Sequence, residues 1–190
     1  KDYAAETPYL FCPGNHDLRG LANRHLERVW MYRQPAERSS RDWDLGRNFA
    51  VRVGDIALIG LDTGEDKLDT NPIFANLFAS VPYRQAQVAW LKDALRRKEI
   101  ACAPYLVACC HIPLYDENPK AITAHQHVYR FDAPTKDHSW AQIVGGGPVG
   151  NDPESKEFAT LIDGEVKDGN LVMRVHNIAK GVLVEEHSFK

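Results

Sequence analysis

The stretch that most constrains this chain is Pro8-Tyr9-Leu10-Phe11-Cys12-Pro13-Gly14-Asn15-His16-Asp17, an apolar run that stops abruptly in a glycine and three polar residues. Tyr9, Leu10 and Phe11 read as a buried strand, and Pro13-Gly14 is a breaker pair that ends it. An amide, an imidazole and a carboxylate then follow at the strand's end, where open α/β sheets place their chemistry. The same order recurs later in the chain. Tyr105 to Cys110 is a continuous apolar run of buried-strand type, and it delivers His111 followed by Ile112-Pro113.

Around these two stretches the periodicity predicts a mixed α/β chain. Leu21, Leu26, Val29 and Trp30 recur at near-helical spacing and predict a short amphipathic helix over 21–32, which Pro35 ends. Asn48 to Val53 and Ile56 to Leu61 are β-rich runs joined by Gly54-Asp55, a connection suited to a tight hairpin. Asp62 ends the second run, where an aspartate is either a turn former or a functional carboxylate. Asp69 to Pro82 reads as loop and Tyr83 to Lys98 as the best helix, with Gln87, Leu91, Ala94, Leu95 and Lys98 near one stripe. Leu114 to Trp140 is irregular and holds His125, His127 and His138.

From Phe158 onward the pattern is a β-meander. Its predicted strands are Phe158 to Ile162, Glu165 to Val166, Leu171 to Val175 and Val182 to Glu186, with turns at Asp163-Gly164, Asp168-Gly169 and near Lys180-Gly181. With 190 residues and no visible linker, repeat or low-complexity tract, the chain reads as one domain over 1–190.

Composition excludes several function classes. A formal charge of -3 offers no nucleic-acid-binding surface, and the densest basic stretch, Arg96-Arg97-Lys98, lies on a helical pattern as a solvated face. No apolar run reaches the roughly 18 residues of a membrane span. Cys12, Cys102, Cys109 and Cys110 contain no CxxC, and neighbouring Cys109 and Cys110 face opposite sides of a strand. They read as buried free thiols, which points towards a reducing, cytoplasmic compartment, with any signal peptide lying upstream of Lys1.

Three stretches present metal-type ligands: Asn15-His16-Asp17, His111, and His125-Gln126-His127. Neutral imidazole with amide or carboxylate oxygen is a ligand set for first-row divalent ions. Gly14-Asn15-His16-Asp17 resembles the GNHD block of the calcineurin-like metallophosphoesterases, the family that includes the purple acid phosphatases. Cys110-His111-Ile112-Pro113-Leu114 is similar to its strand-terminal His-x-Pro block, and Ala124-His125-Gln126-His127 to its GHxH block. Order, spacing and strand-to-loop context agree over essentially the whole chain.

That resemblance implies an α/β fold, a metallophosphoesterase-type β-sandwich flanked by helices, and hydrolysis of small-molecule phosphate monoesters or diesters by a metal-bound hydroxide at a two-metal site. It implies that Asn15, His111 and His125 bind one metal and His127 the other, drawn from Zn, Mn or Fe. His16 would contact the phosphate and protonate the leaving oxygen, with Asp17 orienting its imidazole. Independently of the resemblance, Tyr115, Asp116 and Glu117 follow His111 closely in sequence and are candidates to line the substrate entrance.

Two departures qualify the match. Ala124 stands where the family has glycine, and the family's upstream Asp-x-His and Gly-Asp blocks have no counterpart in the thirteen residues before Gly14. The expectation is therefore the C-terminal portion of such an enzyme, its N-terminal part missing, with at most one well-held ion and little activity of its own. Loss of the first strands and helices would leave apolar surface that favours self-association. Two other readings stay open: a catalytically silent domain, and a small His-rich metal-binding module. The Gly145-Gly146-Gly147-Pro148 run lacks the Lys-Ser/Thr of a P-loop and reads as a backbone turn close to the HxH loop. His25, His138, His176 and His187 have no ligand-like context.

Overall fold

The computed structural model describes residues 10, 12–15, 43–44, 48–64, 70–71, 80–115, 127–147 and 158–190. The helix predicted over 21–32, Tyr9 and Phe11 of the opening strand, Ala124, and the site residues His16, Asp17 and His125 lie outside the described residues. Among those described, the arrangement is mostly β with two helices, compatible with an α/β class. The chain divides into two compact units, Lys1–Ile112 and Pro113–Lys190.

The first unit is built on a four-stranded sheet of order β1-β2-β3-β4, comprising β1 (Trp43–Asp44), β2 (Asn48–Val53), β3 (Ile56–Leu61) and β4 (Tyr105–Cys110). The predicted hairpin forms at the expected residues: β2 and β3 pair antiparallel from Val53↔Ile56 to Phe49↔Gly60, and Gly54 takes the left-handed φ of 59° that the tight turn needs. β4 runs parallel to β3, with Leu61 opposite Cys110. A parallel pair requires a crossover, and α1 (Ser80–Ala94) and α2 (Lys98–Ala101) lie in that connection. Ala50, Ala57, Ile59 and Leu61 of the sheet pack with Trp90 and Ala94 of α1 and Ile100 of α2.

Three local expectations are corrected here. The helix already includes Ser80, Val81 and Pro82, because a proline in the first turn lacks only an N–H that has no intrahelical acceptor. Its far end stops at Ala94: Arg96 N bonds Asp93 O and Arg97 N bonds Ala94 O, a tightening to i→i+3 spacing that turns the chain off the helical path. Leu95 is therefore exposed, Lys98 starts a new helix, and the buried anchor of α1 is Trp90. Finally, β4 is not buried throughout: Leu106, Ala108 and Cys109 are exposed, Leu106 to 54 %, while Tyr105, Val107 and Cys110 are half-buried.

The second unit pairs β5 (Arg130–Asp132) with β6 (Gln142–Val144), and joins β7 (Thr160–Lys167), β8 (Asn170–Asn177) and β9 (Val182–Phe189) in an antiparallel meander. Strand β5 falls in a region expected to be irregular. The Asp168-Gly169 turn is confirmed, both residues having positive φ. The expected turn at Asp163-Gly164 is absent, since β7 runs straight through it. Gly164 faces Met173, whose Sδ would lie 2.6 Å from an added Cβ, so the glycine serves cross-strand packing here. Tyr129, Phe158 and Val175 form the buried cluster of this unit.

Candidate functional site

The parallel pairing of β3 and β4 decides what emerges at their C-terminal ends. Because Leu61 is opposite Cys110, the next residues, Asp62 and His111, leave the sheet side by side. Asp62 is fully buried. Its Oδ1 accepts a bond from Gly64 N at 2.8 Å, and its own N–H donates to Asn48 Oδ1 at 3.1 Å. Thr63 Oγ1 accepts from Ile112 N at 2.9 Å, which pins the chain just beyond His111 to the exit of β3.

The opening loop reaches this same end of the sheet. Cys12 Sγ lies 3.3 Å from Cys109 O. The Cys12 thiol is pushed up to about 12, mainly by burial, with neighbouring Cys109 and Cys110 adding to the shift and the Asp62 carboxylate a further, smaller contributor. Burial likewise pushes Cys110 up to about 11. Burial thus favours the protonated thiol at both positions. All four cysteines are free, as expected, but none is fully buried: Cys12 and Cys110 are half-buried, and Cys102 and Cys109 are exposed.

Gly14 presses against His111: a Cβ at position 14 would come within 3.2 Å of the imidazole. Asn15 follows, fully buried. Asn15 Oδ1 and Asp62 Oδ2 are buried oxygens that accept no hydrogen bond from the described residues, although both residues are engaged elsewhere. Amide oxygen, imidazole and carboxylate are donor types that first-row divalent ions take. In the chemistry of their side chains, Asn15 and His111 fit the donor set of a metal site, and Gly14, next to Asn15, packs against the His111 ring. Among the described residues, no group of three or more His, Cys, Asp or Glu side chains is gathered so as to hold an ion.

His127 and Tyr115 belong to the second unit. His127 is exposed and abuts Gly147, where a Cβ would overlap its imidazole. Of the glycine run, Gly147 lies beside His127. Tyr115 stacks on His138 with ring centroids 4.1 Å apart.

Comparison with known protein families, characterised proteins and solved structures returns no match. The site is therefore argued from its own geometry.

Behind Asp62 lie polar residues to which the sequence reading gave no place at this end of the sheet. Asn48 Nδ2 donates to Tyr83 Oη at 2.7 Å, and Gln87 Nε2 donates to both Asn48 Oδ1 and the Asp62 carbonyl at 2.7 Å. Arg84 Nη2 adds a bond to the Thr63 carbonyl at 3.3 Å. An asparagine opening a strand and a glutamine and an arginine on a helix carry no signal of this kind until the helix is packed on the sheet.

Proposed function

We propose that the protein is a metal-dependent phosphohydrolase acting on phosphate monoesters or diesters, on a metallophosphoesterase-type sandwich flanked by helices. The observation that carries the reading is the close approach of Gly14 to His111 at the C-terminal ends of a parallel strand pair. Asn15 and His111, with His125, would hold one divalent ion, and His127 would serve a second. Such an ion, when bound, supplies Lewis-acid polarisation of a phosphoryl oxygen and lowers the pKa of water.

The chain's own residues supply the rest. Asn15 offers a neutral oxygen, which limits the negative charge gathered around a cation pair. His16 would donate a hydrogen bond to the phosphate and hold the proton that the leaving oxygen takes, with Asp17 fixing its tautomer through the other ring nitrogen. Thr63 holds the turn after His111, so that the imidazole is presented from a braced segment.

The test is Mn²⁺ and Zn²⁺ titration by calorimetry, paired with turnover of p-nitrophenyl phosphate and bis(p-nitrophenyl) phosphate by the protein and its His111→Ala variant. Metal uptake and weak metal-dependent turnover, both lost in H111A, are expected. No uptake, or uptake unchanged in H111A, overturns the reading. Uptake without turnover of any ester leaves a metal-binding module in its place.

A further inference from the structure

Among the described residues, Asp62 is the one acidic or basic residue that is fully buried. Its surroundings hold it from several sides. Asn48 Oδ1 accepts its N–H at 3.1 Å, Gln87 Nε2 donates to its carbonyl at 2.7 Å, and Oδ1 of its carboxylate accepts from Gly64 N at 2.8 Å. Gly64 takes a left-handed φ of 63°, which suits this side-chain turn. Such a turn needs one side-chain oxygen, and asparagine supplies it as well as aspartate does. The negative charge is therefore surplus to the local fold, and burying a carboxylate costs far more than burying an amide.

That charge lies against the candidate site, within the first unit. Leu61 pairs with Cys110 one residue before Asp62 and His111, and Thr63 Oγ1 accepts from Ile112 N at 2.9 Å one residue after them. The two residues are thus bracketed on both sides and leave the sheet as neighbours. Gly14 packs on the His111 ring from the opening loop. The Cys12 thiol of the same loop, raised mainly by burial, is pushed up a little further by Asp62, so the carboxylate is felt in the segment that carries Asn15. An amide oxygen and a neutral imidazole are uncharged donors, and neither Asn15 nor His111 offsets the charge of a cation.

We infer that Asp62 is the counter-charge of the candidate metal site, a positioning residue whose carboxylate strengthens the hold of Asn15 and His111 on a divalent cation. Coulombic attraction falls only with the first power of distance and is weakly screened in a buried setting, so it acts without a bond from Asp62 to the ion. A carboxylate already fixed by its turn loses little freedom when the ion arrives. This role rests on the metal-dependent reading proposed above and adds to it a residue to which that reading gives no part.

The experiment is calorimetric titration of the full chain with Mn²⁺ at neutral pH, for the wild type, Asp62→Asn and His111→Ala, with urea unfolding of each chain free of metal. D62N keeps the oxygen that Gly64 N needs and drops the charge. It is expected to bind Mn²⁺ about tenfold or more weakly than the wild type, while its metal-free urea midpoint is not lowered. A merely structural residue gives the opposite pattern, a lowered midpoint with the affinity of the folded chain unchanged. Asp62→Ser, which also keeps an acceptor oxygen, takes the place of D62N where the amide variant does not fold. With Mn²⁺ taken up by the wild type and not by H111A, an unchanged affinity or a lowered metal-free midpoint in the Asp62 variant overturns the inference and leaves the metal site standing. No uptake by the wild type overturns the phosphohydrolase reading, and this role with it.

Discussion

Gln87 Nε2 sits 2.7 Å from Asn48 Oδ1 and 2.7 Å from the Asp62 carbonyl oxygen, so one amide on α1 ties the start of β2 to the exit of β3. Asn48 is fully buried and serves Tyr83, Gln87 and the Asp62 N–H at once. Asn48→Ala strands three polar groups and is expected to cost about 2–3 kcal/mol. Tyr83→Phe removes one partner and should cost about 1 kcal/mol. Urea unfolding measures both, and equal losses would refute this hierarchy.

Gly14 and Gly60 separate a local adjustment from a packing conflict. At Gly14 an added Cβ meets the His111 ring at 3.2 Å, so the imidazole must shift by a few tenths of an ångström. Gly14→Ala should change stability by less than about 1 kcal/mol while weakening metal uptake. At Gly60 the Cβ would overlap the ring of Phe49, itself buried, and Gly60→Ala should destabilise by about 2 kcal/mol. Thermal unfolding alongside metal calorimetry distinguishes the two outcomes.

The exposed face of the meander is expected to weaken in acid. His176 and Arg174 hold the Asp163 carboxyl below its ordinary value of 3.8, and Arg174 holds Glu165 below 4.5. Arg174 also pairs with Glu186 at 2.9 Å. Depressed carboxylate values contribute stability that is present above the ordinary values and is lost as pH falls through the folded ones. The urea midpoint of the wild-type chain should therefore exceed that of Arg174→Met at neutral pH, and the gap should close below about pH 4. A gap that stays constant with pH would contradict the assignment.

Tyr129 anchors the other side of the second unit. It is 2 % exposed, its hydroxyl donates to Glu185 and lies 3.2 Å from His187 Nε2, and burial with the Glu185 bond raises its pKa. Tyr129→Phe should cost about 1–2 kcal/mol by leaving these partners unmet. Glu185→Gln, which keeps an acceptor, should cost less. Chemical denaturation of the two variants checks the order.

By itself, the sequence determined the elements whose signals are local. The β2–β3 hairpin is written in two β-rich runs around Gly54-Asp55, and the Asp168-Gly169 turn in residues that tolerate positive φ. Strand β4 was legible for the same reason. Tertiary structure decided what depends on a partner distant in sequence. Gly164 stays in a strand because Met173 packs over it, and Asp62 stands beside His111 because Leu61 pairs with Cys110 across a parallel register. Backbone preference acts over a few residues, whereas register and burial are set by contacts that exist only once the chain has folded.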